Sequence, residues 1–184
     1  MPVPGTQHHW PTAPPGQTVT LADGGRAVVR TLAGGEVAVV QQVFDGLSER
    51  SRYARFLGAK PALSREELAL LSAVDHENHE ALVAVDPVTG KAVGEAHLVR
   101  DRCDHAVAEV AFAVTDEWQG RSLGTRLAVL LAARARELGI HRLRASMLTD
   151  NTRSRALMHR MGCVVNRSYE GAALELEVVL DCAP

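Results

Sequence analysis

The chain has 184 residues, 46% of them hydrophobic, and a formal net charge of −2 at pH 7. This length and composition fit one folded domain with a hydrophobic core, and the near-neutral charge argues against nucleic acid as the main partner. No apolar stretch is long enough to cross a membrane and the N-terminus lacks a signal-peptide pattern, so we expect a cytoplasmic protein without membrane contact. Three scattered cysteines without a C-x-x-C pair agree with a reducing compartment, and no metal site is predicted.

The first part of the chain predicts a tail followed by a strand and helices. Residues 1–17 are dense in proline and glycine and predict a disordered or loosely docked tail, so that 18–184 form a single domain. Arg26–Leu32 predicts the first strand, and apolar spacing over 37–47 predicts a helix. The basic segment 48–56 (SERSRYARF) is a further helical piece; it is either a solvated helix face, which we favour, or a wall of a binding site.

The rest of the chain predicts a mixed sheet. Ser64 and Glu67 have the spacing of a capping box, which predicts a short helix. The segment 75–80 predicts a polar loop, with contact to the acceptor as the less favoured alternative. The later predicted elements are strands at Ala81–Asp86, Lys91–Arg100, Ala106–Thr115 and Arg142–Leu148, helices at 121–138 and Asn151–Met161, and a hairpin of Cys163–Tyr169 and Leu174–Leu180. The order β-α-α-β-β-β-α-β-α-β-β indicates an α/β (α+β) fold with antiparallel hairpins and one β-α-β crossover.

The strand Ala106–Thr115 runs through a glycine-containing loop into a helix, an arrangement typical of anion sites. Unpaired backbone N–H groups point outward at a helix N-terminus, and the helix dipole favours negative charge there. Gly120 and Gly124 let the backbone approach a bulky anion such as a pyrophosphate. The loop has neither the G-x-G-x-x-G of a Rossmann fingerprint nor the G-K-[ST] of a P-loop.

The string Gln119-Gly120-Arg121-Ser122-Leu123-Gly124 resembles the Q/R-x-x-G-x-G/A acyl-CoA loop of the GNAT superfamily of acyl-CoA-dependent N-acyltransferases. It departs from that pattern at Ser122, where the family usually has glycine, but serine is small and keeps its backbone N–H. The predicted element order is also that of the GNAT fold, in which central parallel strands splay apart beside the cofactor. Stretches at 21–26, 46–56 and 81–86 further resemble the acyltransferase domain of bacterial GNAT protein-lysine acetyltransferases.

The resemblance implies acetyl-CoA as the acyl donor. The strand end should pair with the pantetheine arm, the loop N–H groups should hold the pyrophosphate, and the Val114 N–H is the implied oxyanion donor. A segment that resembles the family's second cofactor motif, N-x-x-A-x-x-L-Y-x-K-x-G, has Met158 in place of the thiolate-protonating tyrosine, so water or another group protonates the thiolate, or it leaves unprotonated. The implied cofactor contacts are Phe112, Ala113, Val114, Gln119, Gly120, Arg121, Ser122, Leu123, Gly124, Thr125, Asn151 and Ser154. Arg121 and Arg126 either reach phosphates or are solvated.

Glu109 is the candidate general base. Regular alternation places it on one face of its strand with small neighbours such as Ala111 and Ala113, which leave room for a ligand, and makes the face of Val110 the core side. A positioned carboxylate there can take the proton of an amine, directly or through water. Many GNAT enzymes carry a general-base glutamate on this strand. The alternative is a solvated glutamate on an open sheet face.

His97 is a candidate helper of Glu109. If the turn between their strands is centred near Cys103, His97 lies opposite Glu109 on the same face. It would then accept the proton or, when charged, lower the pKa of the glutamate. A one-residue slip of the register changes this pairing, and a surface pair without a catalytic role is the alternative.

The expected activity is direct transfer of acetyl from acetyl-CoA to a protein lysine, without a covalent enzyme intermediate. The alternatives are acetylation of a small amine, such as an antibiotic or a polyamine, and a non-catalytic acyl-CoA-sensing module. The presence of Glu109 argues against the sensing module. The final hairpin offers an edge through which a homodimer could form.

Overall fold

A computed structural model describes residues 16–181. Within these residues, eight strands form one mixed sheet in the order β1-β2-β3-β4-β5-β6-β8-β7, together with five α-helices. The elements are β1 (Gln17–Thr20), β2 (Arg26–Thr31), α1 (Val37–Asp45), α2 (Glu49–Phe56), α3 (Arg65–Ser72), β3 (His79–Val85), β4 (Ala92–Arg100), β5 (Val107–Val114), α4 (Leu123–Glu137), β6 (Arg142–Leu148), α5 (Thr152–Met161), β7 (Cys163–Glu170) and β8 (Ala173–Val179). The predicted α/β fold class is confirmed.

Two parts of the predicted order were wrong. The sequence prediction starts the strands at Arg26, but β1 precedes it, starts at the last residue of the predicted tail and pairs antiparallel with β2. Four residues next to a proline- and glycine-rich segment are too few to show a strand period. The predicted order also counts two helices after the first strand where the structure has three. Residues 1–15 of the predicted tail lie outside the described residues.

The predicted helix signals are largely confirmed. Ser64 and Glu67 form the capping box at the start of α3, with both reciprocal hydrogen bonds present. Ser48 caps α2 by accepting the Ser51 N–H. Helix α4 is followed by Gly139, whose φ of +72° is in the left-handed region that favours glycine.

Helices cover the sheet on both faces. On one face, α4 and α5 bury the main core against β4, β5 and β6, and Leu127 and Leu131 of α4 are fully buried. The same core contains Val110, so the predicted core side of β5 is confirmed. On the other face, Val43 of α1 packs with Ala113 of β5. Glu109 therefore points to the face that carries α1, α2 and α3.

Strands β5 and β6 separate along their length. They pair in parallel only between Val107–Glu109 and Arg142–Arg144. Beyond Glu109, β6 continues to pair with β8 and β5 continues to pair with β4. The edges of β5 and β6 that face each other therefore form no hydrogen bonds with one another there. The predicted splay of the central parallel strands is confirmed, and it opens a cleft beside residues 110–114 of β5.

The segment 75–80 connects α3 to β3 and fixes the end of α4. Although burial raises the pKa of Asp75, hydrogen bonds from the backbone N–H groups of His79, Glu77 and Asn78 lower it to about 2. Glu80 is fully buried and its Oε2 lies 2.8 Å from Arg134 Nε of α4. The segment is a polar loop at its start, as predicted, and enters β3 at its last two residues.

Candidate active site

The loop between β5 and α4 exposes the N-terminus of α4. Gly120 and Ser122 both adopt positive φ, +74° and +70°, which turns the chain into the helix. The first hydrogen bond of the helical pattern runs from Arg126 N–H to Ser122 O. The N–H groups of residues 122–125 come before this bond and therefore have no acceptor one helical turn earlier. Four N–H groups at the start of an α-helix have no partner within it, and the helix dipole adds positive potential. This geometry suits an anion.

The β1–β2 hairpin supports that loop from the side. Arg121 Nε lies 2.5 Å from Asp23 Oδ2, its guanidinium stacks on the Trp118 ring, and its carbonyl accepts the Ala22 N–H. Hydrogen bonds from Gly25 N–H and Arg121 lower the pKa of Asp23. The Arg121 side chain, predicted as a cofactor contact, is therefore held by Asp23.

The end of β5 presents its backbone to the cleft. Thr115 N–H donates to Val93 O of the neighbouring β4 segment, so by strand alternation the N–H and C=O of Val114 and Phe112 face the β6 side. Gln119 Nε2 donates to Val114 O at 3.0 Å, so the loop holds this carbonyl itself. The Val114 N–H, predicted as the oxyanion donor, faces the cleft between the separated strands.

The Gln119 side chain bonds to several elements around this loop. Its predicted role was contact with the cofactor, and these contacts within the protein were not predicted. Its Nε2 also donates to Ser51 Oγ of α2 at 3.1 Å, and its Oε1 accepts from Arg153 Nη1 of α5 at 2.9 Å. These bonds connect the anion site to helices on both faces of the sheet.

The second predicted cofactor segment lies at the start of α5. Asn151 caps this helix, since its Oδ1 accepts the Ser154 N–H at 3.0 Å. Met158 is almost fully buried in the main core. The position that carries a proton-donating tyrosine in the motif is therefore filled by an apolar core residue.

A cavity of about 730 Å³ lies on the other face of the sheet, over β4 and β5 and under α2 and α3. Glu109 lines it and is exposed to it, with Ala111 beside it on the strand. Apolar side chains of α3, Leu70 and Leu71, form part of its wall. The predicted base, Glu109, thus lines an open cavity on the face of the sheet opposite to α4.

The predicted pairing of His97 with Glu109 was wrong by two residues along the strand. Glu109 pairs with Val99, and His97 pairs with Ala111, because the β4–β5 turn is centred one residue later than Cys103. His97 stays on the same face as Glu109 and lines the same cavity. The sequence fixes which face a residue occupies through alternation, but the turn geometry decides its partner.

His97 belongs to a buried polar cluster. His97 Nδ1 lies 3.1 Å from His79 Nε2, and His97 Nε2 lies 3.3 Å from Glu95 Oε2. The exposed fractions of His97 and Glu95 are only 3% and 7%. Burial raises the pKa of Glu95, but the charge and hydrogen bond of His97, with Arg55 and His79, lower it overall. Sequence reasoning missed Glu95, although it shares its strand face with His97.

Arg55 of α2 completes this cluster and supports the second prediction for 48–56, a wall of a binding site, at this one residue. The side chain lines the cavity, and its Nε is sealed from solvent. Burial lowers the pKa of Arg55, while the charges of Glu95 and Glu109 act in the opposite direction. The segment therefore meets both predictions in part: Arg55 forms a wall of the cavity, whereas residues 48–50 and Tyr53 are exposed as on a solvated face.

Comparison with known proteins agrees with this geometry. The family model described as acetyltransferase (GNAT) domain matches residues 30–164. The chain belongs to the GNAT acetyltransferase family. Over 127 residues, 69% of the chain, it is 34% identical to acetyltransferase Pat of Mycolicibacterium smegmatis, and it spans 38% of that relative's length.

Two solved structures show the GNAT fold in this chain. The GNAT domain of S. lividans PAT matches with a TM-score of 0.80 and 29% identity over 90% of this chain and 97% of that one. The yncA protein of Salmonella typhimurium, solved with its cofactor acetyl-CoA, matches with a TM-score of 0.66 and 19% identity over 84% of this chain and 94% of that one, a likeness of fold alone. Among residues 16–181, no helix has the length and apolarity needed to cross a membrane.

Proposed function

We propose that this GNAT domain transfers acetyl from acetyl-CoA to the side-chain amine of protein lysines. One arrangement carries the proposal: the cleft between β5 and β6 leads to an exposed helix N-terminus, and Glu109 stands in a cavity on the other face of β5. A donor and an acceptor could then meet at this strand from two sides. The resemblance of several stretches to protein-lysine acetyltransferases supports lysine as the acceptor.

The cleft fits the donor. The pantetheine arm is an extended chain with amides, and it can pair with the free edge of residues 112–114 as an added strand would. The pyrophosphate then reaches the N–H groups at 120–125, where the helix dipole adds to binding. Asn151 and Ser154 start the helix beside the same cleft. A protein of the same fold that holds acetyl-CoA supports this choice of donor.

The chemistry needs a neutral amine. Lysine has a pKa of about 10.4 in water, so only a minute fraction is neutral at pH 7. Glu109 takes the proton, directly or through water, and the amine nitrogen attacks the thioester carbon. The Val114 N–H stabilises the oxyanion. The C–S bond then breaks and the thiolate of coenzyme A leaves; because Met158 cannot donate a proton, water in the cleft protonates it.

Incubation of the protein with isotope-labelled acetyl-CoA and a cell lysate tests the proposal. After separation of macromolecules from small molecules, label on protein lysines, mapped by mass spectrometry, is the expected result. Label only on a small amine would replace the lysine acceptor with a small-molecule one. No transferred label, with acetyl-CoA still bound, would refute the enzyme and favour an acyl-CoA-sensing module.

A further inference from the structure

Arg55 is a partly buried cation that has no hydrogen-bonded partner among the described residues. Its Nε is sealed from solvent and has no acceptor among the described residues, and the only ring contact of its guanidinium is with Phe56. Because Arg55 lines the cavity, its remaining donors face the space that an acceptor would occupy. Guanidinium groups stay charged in proteins, and buried ones are normally paired.

The neighbouring carboxylate, Glu95, lies beside His97 and does not form an ion pair with Arg55. The carbonyl of Ala73 lies 3.2 Å from His79 Nδ1, which must therefore carry a hydrogen. Burial and then the charge of His97 lower the pKa of His79, which favours its neutral form. In that form Nε2 of His79 is an acceptor for His97 Nδ1, 3.1 Å away. The other nitrogen of His97 then faces Glu95 Oε2 at 3.3 Å. Among the described residues, His97 is the side chain that lies within ion-pair distance of the buried Glu95 carboxylate.

Two other cations near the cavity, Arg100 and Arg144, are bound to other groups. Arg100 donates to the backbone carbonyls of Glu77, His105 and Leu138. Arg144, beside Glu109 on β6, lies 2.8 Å from Glu177. Arg102 also lines the cavity without an ion pair among the described residues, but it is exposed to solvent. Arg55 likewise forms no ion pair with any described carboxylate, and unlike Arg102 it has a nitrogen, Nε, that is sealed from solvent.

We propose that Arg55 binds a carboxylate that the acceptor carries close to its reacting amine. The proposal rests on the proposed acetyl transfer and narrows its substrate class. Two sources have this chemistry: the side chain of an acidic residue next to the target lysine, and the free α-carboxylate of a C-terminal lysine or an amino acid. His97 is a positioning residue in this account, since it keeps Glu95 from becoming the counter-ion of Arg55.

Two matched pairs of acceptors test the proposal and separate the sources. Nα-acetyl-lysine is compared with Nα-acetyl-lysinamide, which lacks only the α-carboxylate. Nα-acetyl-Lys-Asp-amide is compared with Nα-acetyl-Lys-Asn-amide, which lacks only the acidic side chain. The kcat/KM of transfer from acetyl-CoA should favour the carboxylate in at least one pair by about tenfold, the effect of one charged hydrogen bond. Arg55→Gln should bring that ratio close to one, and Arg55→Lys should keep part of it.

A binding measurement keeps the proposal testable if no transfer occurs. The Arg55 Nε–H signal in nitrogen-15 NMR, assigned with Arg55→Gln, should shift on titration with the carboxylate member of the favoured pair and not with its amide. Such a shift without transfer would refute the proposed function while supporting the carboxylate site. Equal responses to both members of both pairs, in binding and in transfer, would overturn the inference.

Variants of the buried pair test the role of His97. His97→Gln should free Glu95 to neutralise Arg55 and should lower the preference for the carboxylate several-fold. The double change Glu95→Gln with His97→Gln removes the competing anion and should restore the preference. A purely structural role of His97 would leave the double variant as impaired as the single one, which would contradict this account. Thermal unfolding of each variant confirms that the comparison is between folded proteins.

Discussion

Ser122 allows a direct test of the cofactor-loop geometry. It has a φ of +70°, is exposed, and makes no capping hydrogen bond with its side chain. A residue with a Cβ costs about 1–2 kcal/mol in this left-handed region, whereas glycine does not. Glycine loses about 0.5–1 kcal/mol more backbone entropy on folding. Ser122→Gly should therefore raise the free energy of unfolding by about 0.5–1 kcal/mol, or Tm by about 1–4 °C for a domain of this size.

Urea denaturation of the Ser122→Gly and Ser122→Ala variants measures this difference. Alanine keeps the Cβ and loses no hydrogen bond, so it should gain nothing. Both variants keep the backbone N–H groups, and the Kd of acetyl-CoA should stay within about twofold of that of the unchanged protein. A gain for alanine equal to that for glycine, or a loss of stability for glycine, would refute the proposed backbone strain.

Three further predictions concern groups around the site. Asp23→Asn removes the ionic partner of Arg121; calorimetry should show a Kd for acetyl-CoA raised about two- to fivefold with kcat unchanged, and an unchanged Kd would remove the hairpin from the account. The pKa of Asp75 is about 2 in the folded protein against 3.8 as its ordinary value, so its stabilisation is present above pH 4 and is lost as pH falls towards 2. Asp75→Asn should flatten the loss of unfolding free energy across that window by about 1 kcal/mol after allowance for solvent screening, and parallel pH curves would contradict this. Arg134→Met leaves the buried Glu80 carboxylate without its guanidinium and should cost about 3 kcal/mol in urea unfolding; a loss below about 1 kcal/mol would mean that the remaining bonds of Glu80 suffice.

The sequence predicted the parts of this site that depend on local pattern. Alternation along β5 placed Glu109 on the correct face, and the glycine-containing loop marked the helix N-terminus. The family resemblance supplied the splayed strands, because no local pattern shows where two parallel strands separate. The helix caps at Asn151 and Ser64 could be predicted from the sequence because a cap and its hydrogen-bonding partner are close in the chain.

What the sequence missed depends on contacts between distant residues. Arg55 looked solvated because its helix is basic, and only the packing of α2 over the sheet turns it toward Glu95. The histidine pair His79 and His97 comes from adjacent strands whose register the turn decides. Asp23 lies far from Arg121 in the chain, and no spacing rule connects them.

The measurement that tests the central claim most directly is the rate of acetyl transfer in Glu109→Gln. Glutamine keeps the size of the side chain but cannot take a proton, so the rate at saturating acetyl-CoA should fall by about 10²–10⁴. Calorimetric binding of acetyl-CoA should be nearly unchanged, since Glu109 lies on the acceptor side of β5. A transfer rate equal to that of the unchanged protein would contradict the assignment of Glu109 as the base.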